Sequence, residues 1–208
     1  MLADFFVALV LLVCFVCFAS VNLHNILVTH RRKDRMKSVA EVQRPVGFVV
    51  GVAAFGTLVY FVEAFLFQLL VFSGSGFLFA GLPLQLPSNV YLQFAGVVLT
   101  LMGYFVFIWS VIVRGRYSVS WAMPEDQKLV TWGPYRYVRH PSYFGYSLMF
   151  TGFFLMLSNV FTVFPLFAIL GYYRVTVDEE VFLVRRFGDA YREYQRKTGR
   201  FVPKIRCK

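Results

Sequence analysis

Long uncharged stretches are the feature that most constrains this chain. Residues 2–28 carry no charge after Asp4, and a second apolar run covers residues 45–72. A third extends over about residues 89–113. A helix needs about 20 apolar residues to cross the hydrocarbon core of a bilayer, and each run is long enough. The sequence therefore predicts an integral membrane protein.

Two shorter apolar runs follow a long polar segment at residues 114–141. They cover residues 142–157 and 160–177, and the very short connection between them predicts a tight helical hairpin. The predicted fold class is an all-α integral membrane protein with about five transmembrane helices, of which the fourth and fifth form the hairpin. From Asp178 onward, apolar residues recur at three- and four-residue spacing, which predicts a cytoplasmic amphipathic helix.

The charge distribution predicts the orientation of these spans. The net charge is +10, and the Lys and Arg residues other than Arg174 fall in the loop after the first span, the segment after the third and the tail. With five spans, all three regions lie on one side of the membrane, which the positive-inside rule places in the cytoplasm, with the amino terminus outside. A nucleic-acid partner is disfavoured because the basic residues form no stripe on a soluble face. The lipid bilayer is the expected environment, and the oligomeric state stays open.

Polar chemistry is concentrated where the fourth span begins. Residues 133–143 combine turn-forming residues with Arg139 and His140, and Pro141 predicts the helix start. Proline suits the first helical turn because its missing N–H has no partner there. The free N–H groups of that turn favour a carboxylate or another polar ligand. The simpler interpretation of such basic residues is that they anchor the membrane topology.

Two adjacent acids, Glu179 and Glu180, follow the fifth span. Because the fourth and fifth spans are antiparallel, we expect these acids to lie beside Arg139 and His140. Their partners remain open from the residues alone. One possibility is a surface ion pair with the arginines, which contributes at most about 1 kcal/mol, and the other is the amino group of a ligand.

Short motifs in residues 120–205 resemble the isoprenylcysteine carboxyl methyltransferase family of integral membrane methyltransferases, whose relatives act on phospholipid amines and thiols. The motifs are Gly-Pro-Tyr at 133–135, Arg-His-Pro-Ser-Tyr at 139–143, Glu-Glu at 179–180, Phe-Gly at 187–188, Tyr-x-x-Tyr at 191–194 and Thr-Gly-Arg-Phe-Val-Pro at 198–203. The resemblance implies that S-adenosylmethionine binds without a Rossmann domain and without a metal. Consistent with this, no Gly-x-Gly-x-x-Gly motif follows a strand-like segment.

The resemblance also implies a division of the single membrane domain, residues 1–208, and a set of site residues. Residues 1–113 hold three spans, and residues 114–208 form the cofactor-binding region with the hairpin and tail. The implied cofactor-binding residues are Gln127, Lys128, Leu129, Val130, Tyr135, His140, Pro141, Ser142, Tyr143, Glu179 and Glu180. Arg139 and Arg174 are the expected substrate residues, and no residue is assigned as a general base.

The implied reaction is methyl transfer to a hydrophobic or lipid-linked acceptor, with a prenylcysteine-type carboxylate as the leading candidate. The membrane would be the plasma membrane of a prokaryote or the endoplasmic reticulum of a eukaryote. The alternatives are a phospholipid-amine or thiol methyltransferase, a sterol-reductase-like enzyme using NADPH, and a non-catalytic membrane binding protein. The reductases have about twice as many spans, which argues against that class.

Two positions depart from the family pattern. The family often has histidine where Gln127 stands, and its substrate arginine falls at Val175, one residue after Arg174. Adjacent residues point about 100° apart around a helix. Either a local bulge restores the arginine, or the substrate is not a carboxylate held in the family's way.

Overall fold

Long membrane-type helices dominate the amino-terminal half. A computed structural model of the protein describes residues 4–33, 39–41, 47–76, 89–115, 122–124 and 128–204. Three of its helices are long and apolar enough to cross a membrane. They are α1 (Asp4–Lys33, with the apolar part at Asp4–Val28), α2 (Phe48–Phe72) and α3 (Val90–Arg114). Their bounds lie close to the predicted first three spans.

The carboxy-terminal half contains three further helices within the described ranges. They are α4 (Pro141–Leu157), α5 (Phe164–Phe187) and α6 (Asp189–Lys197). The predicted helix start at Pro141 is confirmed. A 3₁₀ turn, Phe161–Val163, lies between α4 and α5, so the hairpin connection is longer than predicted. Helix α5 includes most of the last apolar run and the first ten residues of the tail that was predicted to be helical.

The all-α prediction missed a small β ladder. Strands β1 (Val39–Glu41) and β2 (Ala122–Pro124) pair in antiparallel register, with Ala40 opposite Met123. Each strand has three residues, which is too short for the alternation of apolar and polar residues that identifies a strand in a sequence.

The helices pack as two pairs that α1 joins. Helix α4 packs mainly on α3, and α5 packs mainly on α2. Glycines allow the first pair to approach closely, since a Cβ added at Gly103 would lie 2.7 Å from the carbonyl oxygen of Gly145. Phe18 of α1 joins the pairs, because its ring centroid lies 5.0 Å from that of Phe61 and 4.8 Å from that of Phe107. The α4–α5 hairpin is therefore splayed, and its two helices separate around a cavity.

The carboxy-terminal strap, which we define as residues 198–204, folds back on the loop before α4. Val138 forms a parallel bridge with Gly199, and the backbone N–H of Arg139 donates to the carbonyl of Gly199 at 2.9 Å. The N–H of His140 donates to the carbonyl of Arg200 at 3.1 Å. The strap thus fixes the backbone immediately before the start of α4.

Candidate functional site

A cavity of about 310 Å³ lies where the two helix pairs separate. Helices α1, α3, α4 and α5 and the loop before α4 all contribute to its wall. Its lining residues are Asn22, Asn25, Phe107, Val111, Arg114, Tyr135, Arg139, His140, Pro141, Ser142, Tyr143, Tyr146 and Glu179. The lining is aromatic at one side and carries one carboxylate and two guanidinium groups.

Tyr135 enters the cavity from a 3₁₀ turn, Gly133–Arg136. Gly133 has a φ of +60°, a left-handed conformation that glycine adopts without strain. The hydroxyl of Tyr194 donates to the carbonyl of Tyr135 at 2.6 Å, which ties the turn to α6. The Tyr135 hydroxyl itself is buried without a hydrogen-bond partner among the described residues. Such a group indicates a missing polar partner.

Glu179 faces the cavity, and its neighbours at hydrogen-bond range among the described residues are Tyr143 and His140. The Tyr143 hydroxyl donates to its Oε1 at 2.7 Å, and His140 Nδ1 lies 3.5 Å from its Oε2. Burial raises the pKa of Glu179, although His140 and the Tyr143 hydrogen bond oppose the rise. The neighbours of this carboxylate do not fully offset the cost of burying its charge. A cation in the cavity would therefore stabilise its ionised form.

Glu180 is held in a different way and does not line the cavity. Its carboxylate accepts hydrogen bonds from Arg139 Nε at 2.8 Å, Gln195 Nε2 at 3.1 Å and Arg200 Nη2 at 2.9 Å. His140 Nε2 lies 3.2 Å from its Oε1. Burial opposes its ionisation, but the hydrogen bonds from His140, Arg200 and Arg139 outweigh it and lower the pKa of Glu180 below its usual range. Glu180 therefore joins the loop, α5 and the strap.

Arg114, the last residue of α3, adds a guanidinium group to the cavity wall. Its Nε is buried and has no hydrogen-bond partner among the described residues. The guanidinium is close enough to Glu179 to favour that carboxylate's ionised form. A buried guanidinium donor without an acceptor is costly, and a bound anion would satisfy it.

Three stacked tyrosines lie at the cavity, and two of them, Tyr143 and Tyr146, line it. The ring centroids of Tyr143 and Tyr172 lie 4.7 Å apart, and those of Tyr146 and Tyr172 lie 5.4 Å apart. The Tyr172 hydroxyl shares a 2.6 Å hydrogen bond with the hydroxyl of Thr57. These contacts fill the space where α4 and α5 diverge, so the polar cavity borders directly on aromatic surface.

Most of the predicted site residues meet at the cavity. Seven line it, and they are Tyr135, Arg139, His140, Pro141, Ser142, Tyr143 and Glu179. Val130 packs behind Tyr135 against Val113, whereas Lys128 and Leu129 are not part of the lining. Gln127 lies outside the described residues. Within the described ranges, no group of three His, Cys, Asp or Glu side chains is arranged as a metal site.

The expected substitute for the family's substrate arginine lies away from the cavity. Arg174 is exposed, and Val175 beside it is buried. Helix α5 is a regular α-helix through both residues, so no bulge turns Arg174 inward. Arg114 is the basic residue that sequence reasoning missed, because a charge at the end of a membrane span is typical of a topology anchor. Asn22 and Asn25 were missed because they belong to a span without a recognisable motif.

Comparisons with known proteins each cover part of the chain. The family model for phospholipid methyltransferases matches residues 91–190. A protein-S-isoprenylcysteine O-methyltransferase of Schizosaccharomyces pombe is 38% identical over 84 residues, which are 39% of this chain and 35% of that protein. A probable protein-S-isoprenylcysteine O-methyltransferase of Oryza sativa subsp. indica is 28% identical over 127 residues, which are 58% of this chain and 66% of that protein.

One solved structure is also similar. It is the eukaryotic intramembrane Ras methyltransferase ICMT, an isoprenylcysteine carboxyl methyltransferase, with a TM-score of 0.49 and 21% identity. The match covers 77% of this chain and 55% of that one. The chain thus spans between about a third and two thirds of the length of the relatives it matches.

Proposed function

We propose that the chain is a member of the isoprenylcysteine carboxyl methyltransferase family, which its similarity to two such enzymes supports, and that it transfers a methyl group from S-adenosylmethionine to the carboxylate of a prenylcysteine-type acceptor. The observation that carries the proposal is one cavity with Glu179 and Arg114 in its wall. A carboxylate without a full set of donors suits the cofactor's positive charge. The Arg114 guanidinium, whose buried Nε has no acceptor among the described residues, suits the substrate's negative charge.

The residues around Glu179 fit S-adenosylmethionine. Glu179 would hold the cofactor's amino group, because burial leaves its carboxylate in need of a cation. The unpartnered hydroxyl of Tyr135 offers a hydrogen bond to a polar part of the ligand. Pro141, Ser142 and Tyr143 form the first turn of α4 and line the same cavity, and the first N–H groups of a helix have no partner within it.

The chain's own contribution to the chemistry is positioning and charge compensation. When bound, S-adenosylmethionine would supply an electrophilic sulfonium methyl group, which an acceptor oxygen would take by forming an O–C bond while the C–S bond breaks and its electron pair leaves on sulfur. Arg114 would hold the acceptor carboxylate, and Tyr143 and Tyr146 would exclude water at the aromatic wall. A carboxylate is already ionised at neutral pH, so no general base is needed. Orientation and exclusion of water therefore provide most of the rate increase.

We propose that five segments cross the membrane, with the amino terminus outside and the cavity at the cytoplasmic face. Helices α4 and the first half of α5 would be the fourth and fifth spans. The basic residues at the end of α5 and in α6, which include Arg185 and Arg192, support this orientation. The cofactor would then enter from the cytosol, and the acceptor's lipid chain from the bilayer past the aromatic wall.

Methyl transfer to a panel of acceptors tests the function. The purified protein in lipid nanodiscs is mixed with methyl-labelled S-adenosylmethionine and one acceptor at a time. The acceptors are N-acetylated S-farnesylcysteine, phosphatidylethanolamine and a small thiol. We expect a base-labile methyl ester on the farnesylcysteine only. Label on phosphatidylethanolamine alone would instead assign the chain to the phospholipid-amine reaction that the matched family model describes.

We expect the affinity for S-adenosylmethionine to fall as the pH is lowered. The fall should begin at a pH above the range in which an ordinary glutamate becomes protonated. The pKa of Glu179 is raised above its usual value, which is about 4.3 for glutamate. In the free protein Glu179 is therefore protonated over a range of pH above that value, and binding a cation must release this proton. Affinity should rise with pH through the raised pKa.

Calorimetry in buffers of different ionisation enthalpy would measure the released proton, and Glu179→Gln should abolish the release. A pH-independent wild-type affinity would contradict this role of Glu179.

A further inference from the structure

Ser110 of α3 is a fully buried serine behind the cavity wall, and it is not one of the described residues that line the cavity. Its hydroxyl lies 2.7 Å from that of Ser142, which lines the cavity from the first turn of α4. The same Ser110 hydroxyl lies 2.7 Å from the carbonyl oxygen of Phe107, one turn earlier on α3. Ser110 therefore connects a backbone carbonyl to a hydroxyl in the cavity wall.

These two contacts determine where each hydroxyl proton goes. A serine hydroxyl has one proton to donate, and a carbonyl oxygen can only accept. The Ser110 proton therefore goes to the Phe107 carbonyl, and the contact between the two hydroxyls is a hydrogen bond only if Ser142 donates to Ser110. Ser142 then has no proton left for a ligand, and its oxygen offers only lone pairs to the cavity.

Close packing of α3 on α4 fixes this arrangement. A Cβ added at Gly145 would lie 3.0 Å from the backbone nitrogen of Phe107, so the two helix backbones are in contact there. The helices run antiparallel. Ser110, three residues after Phe107, and Ser142, three residues before Gly145, therefore lie side by side one turn from this contact. Because Ser110 is 0% exposed, water does not compete for its hydroxyl.

We propose that Ser110 is a positioning residue, which makes the Ser142 hydroxyl an acceptor for a hydroxyl or amino donor of S-adenosylmethionine. The cofactor carries such donors on its ribose, its adenine and its amino group. Its carboxylate is excluded from Ser142, because two acceptors without a proton between them form no hydrogen bond. This inference rests on the proposed methyltransferase function and specifies how α3 contributes to cofactor binding.

A double-mutant cycle on cofactor affinity provides the test. Calorimetry in lipid nanodiscs gives Kd for S-adenosylmethionine in the wild type, Ser110→Ala, Ser142→Ala and the double variant. Ser142→Ala should raise Kd about tenfold, the factor that one unmade hydrogen bond produces. Ser110→Ala should raise Kd about threefold, because the released Ser142 side chain then populates three staggered positions. The double variant should match Ser142→Ala, since Ser110 acts through Ser142.

The decarboxylated form of the cofactor shows whether Ser142 accepts or donates. It keeps the amino group and the nucleoside and lacks the carboxylate. Ser142→Ala should raise Kd for this form by the same factor as for S-adenosylmethionine. A decarboxylated cofactor whose affinity does not respond to Ser142→Ala would overturn the inference, because Ser142 would then donate to the carboxylate.

Ser147→Ala is the matched control, because the Ser147 hydroxyl donates to the carbonyl of Tyr143 at 3.0 Å, one turn earlier on α4, and Ser147 does not line the cavity. It should leave Kd unchanged. Additive losses in the double variant would overturn the inference and leave the proposed function intact. A wild type that does not bind S-adenosylmethionine would overturn both. If Ser110→Ala does not fold, Ser110→Cys takes its place in the cycle, because a thiol is only a weak acceptor, and the same non-additivity is expected.

Discussion

The Glu180→Ala variant is expected to be about 3–5 kcal/mol less stable than the wild type, with a melting temperature lower by on the order of 10 °C. The carboxylate of Glu180 is buried and accepts hydrogen bonds from Arg139 and Arg200. Its removal would leave the Arg139 guanidinium, whose side chain is 9% exposed, without its carboxylate. Thermal unfolding in a single detergent measures the effect.

A change at the neighbouring acid, Glu179, should not lower the stability of the protein. Burial raises the pKa of Glu179, so its ionised form is disfavoured in the folded protein and Glu179→Gln should leave the melting temperature unchanged or raise it. Glu193→Ala is a suitable control, because that side chain is exposed and forms a surface ion pair with Lys197. Equal destabilisation by the changes at Glu179 and Glu180 would contradict the division of roles between the two acids.

The Arg114→Gln variant is expected to lose about 100-fold in kcat/KM for a carboxylate acceptor, because truncating a buried charged partner costs about 2–5 kcal/mol. Its affinity for S-adenosylmethionine should change little. The guanidinium Nε of Arg114 is buried without a partner in the described part of the chain, which leaves it free for the substrate carboxylate. Steady-state kinetics with N-acetylated S-farnesylcysteine measure the loss, and Arg114→Lys should recover part of it.

Arg136→Gln is the control for net charge, since Arg136 is exposed on the 3₁₀ turn beside the site and does not line the cavity. It should keep kcat/KM within about twofold of the wild type, in line with the small effects of surface charges. An equal loss of kcat/KM in the Arg114 and Arg136 variants would show that Arg114 acts through the net charge of the protein and does not hold the substrate.

The parts of the molecule that the sequence predicted are those with strong local signals. Length and hydrophobicity identify the first three membrane helices. Pro141 marks the start of α4 because proline fixes its own φ and lacks the N–H. The short connection between the fourth and fifth apolar runs also correctly predicts a reversal of the chain there.

The separate roles of Glu179 and Glu180 could not be predicted, because side chains at adjacent helix positions point about 100° apart and only the packing of α5 decides which one faces the cavity. The same limit applies to Arg114 and Asn22. Their sequence surroundings are those of ordinary span ends, and the cavity brings them together only because α4 and α5 pack on different partners. Long-range packing, which local sequence patterns do not encode, therefore determines the part of the cavity wall that contains Arg114 and Asn22.

Calorimetric titration of the wild type and of Glu179→Gln with S-adenosylmethionine tests the central claim most directly, namely that the cavity between the loop before α4 and α5 binds this cofactor. The wild type should bind one equivalent, and the variant should bind at least about 100-fold more weakly, as expected when a buried carboxylate loses its charge opposite a ligand cation. Unchanged affinity in a folded Glu179→Gln variant would contradict the account.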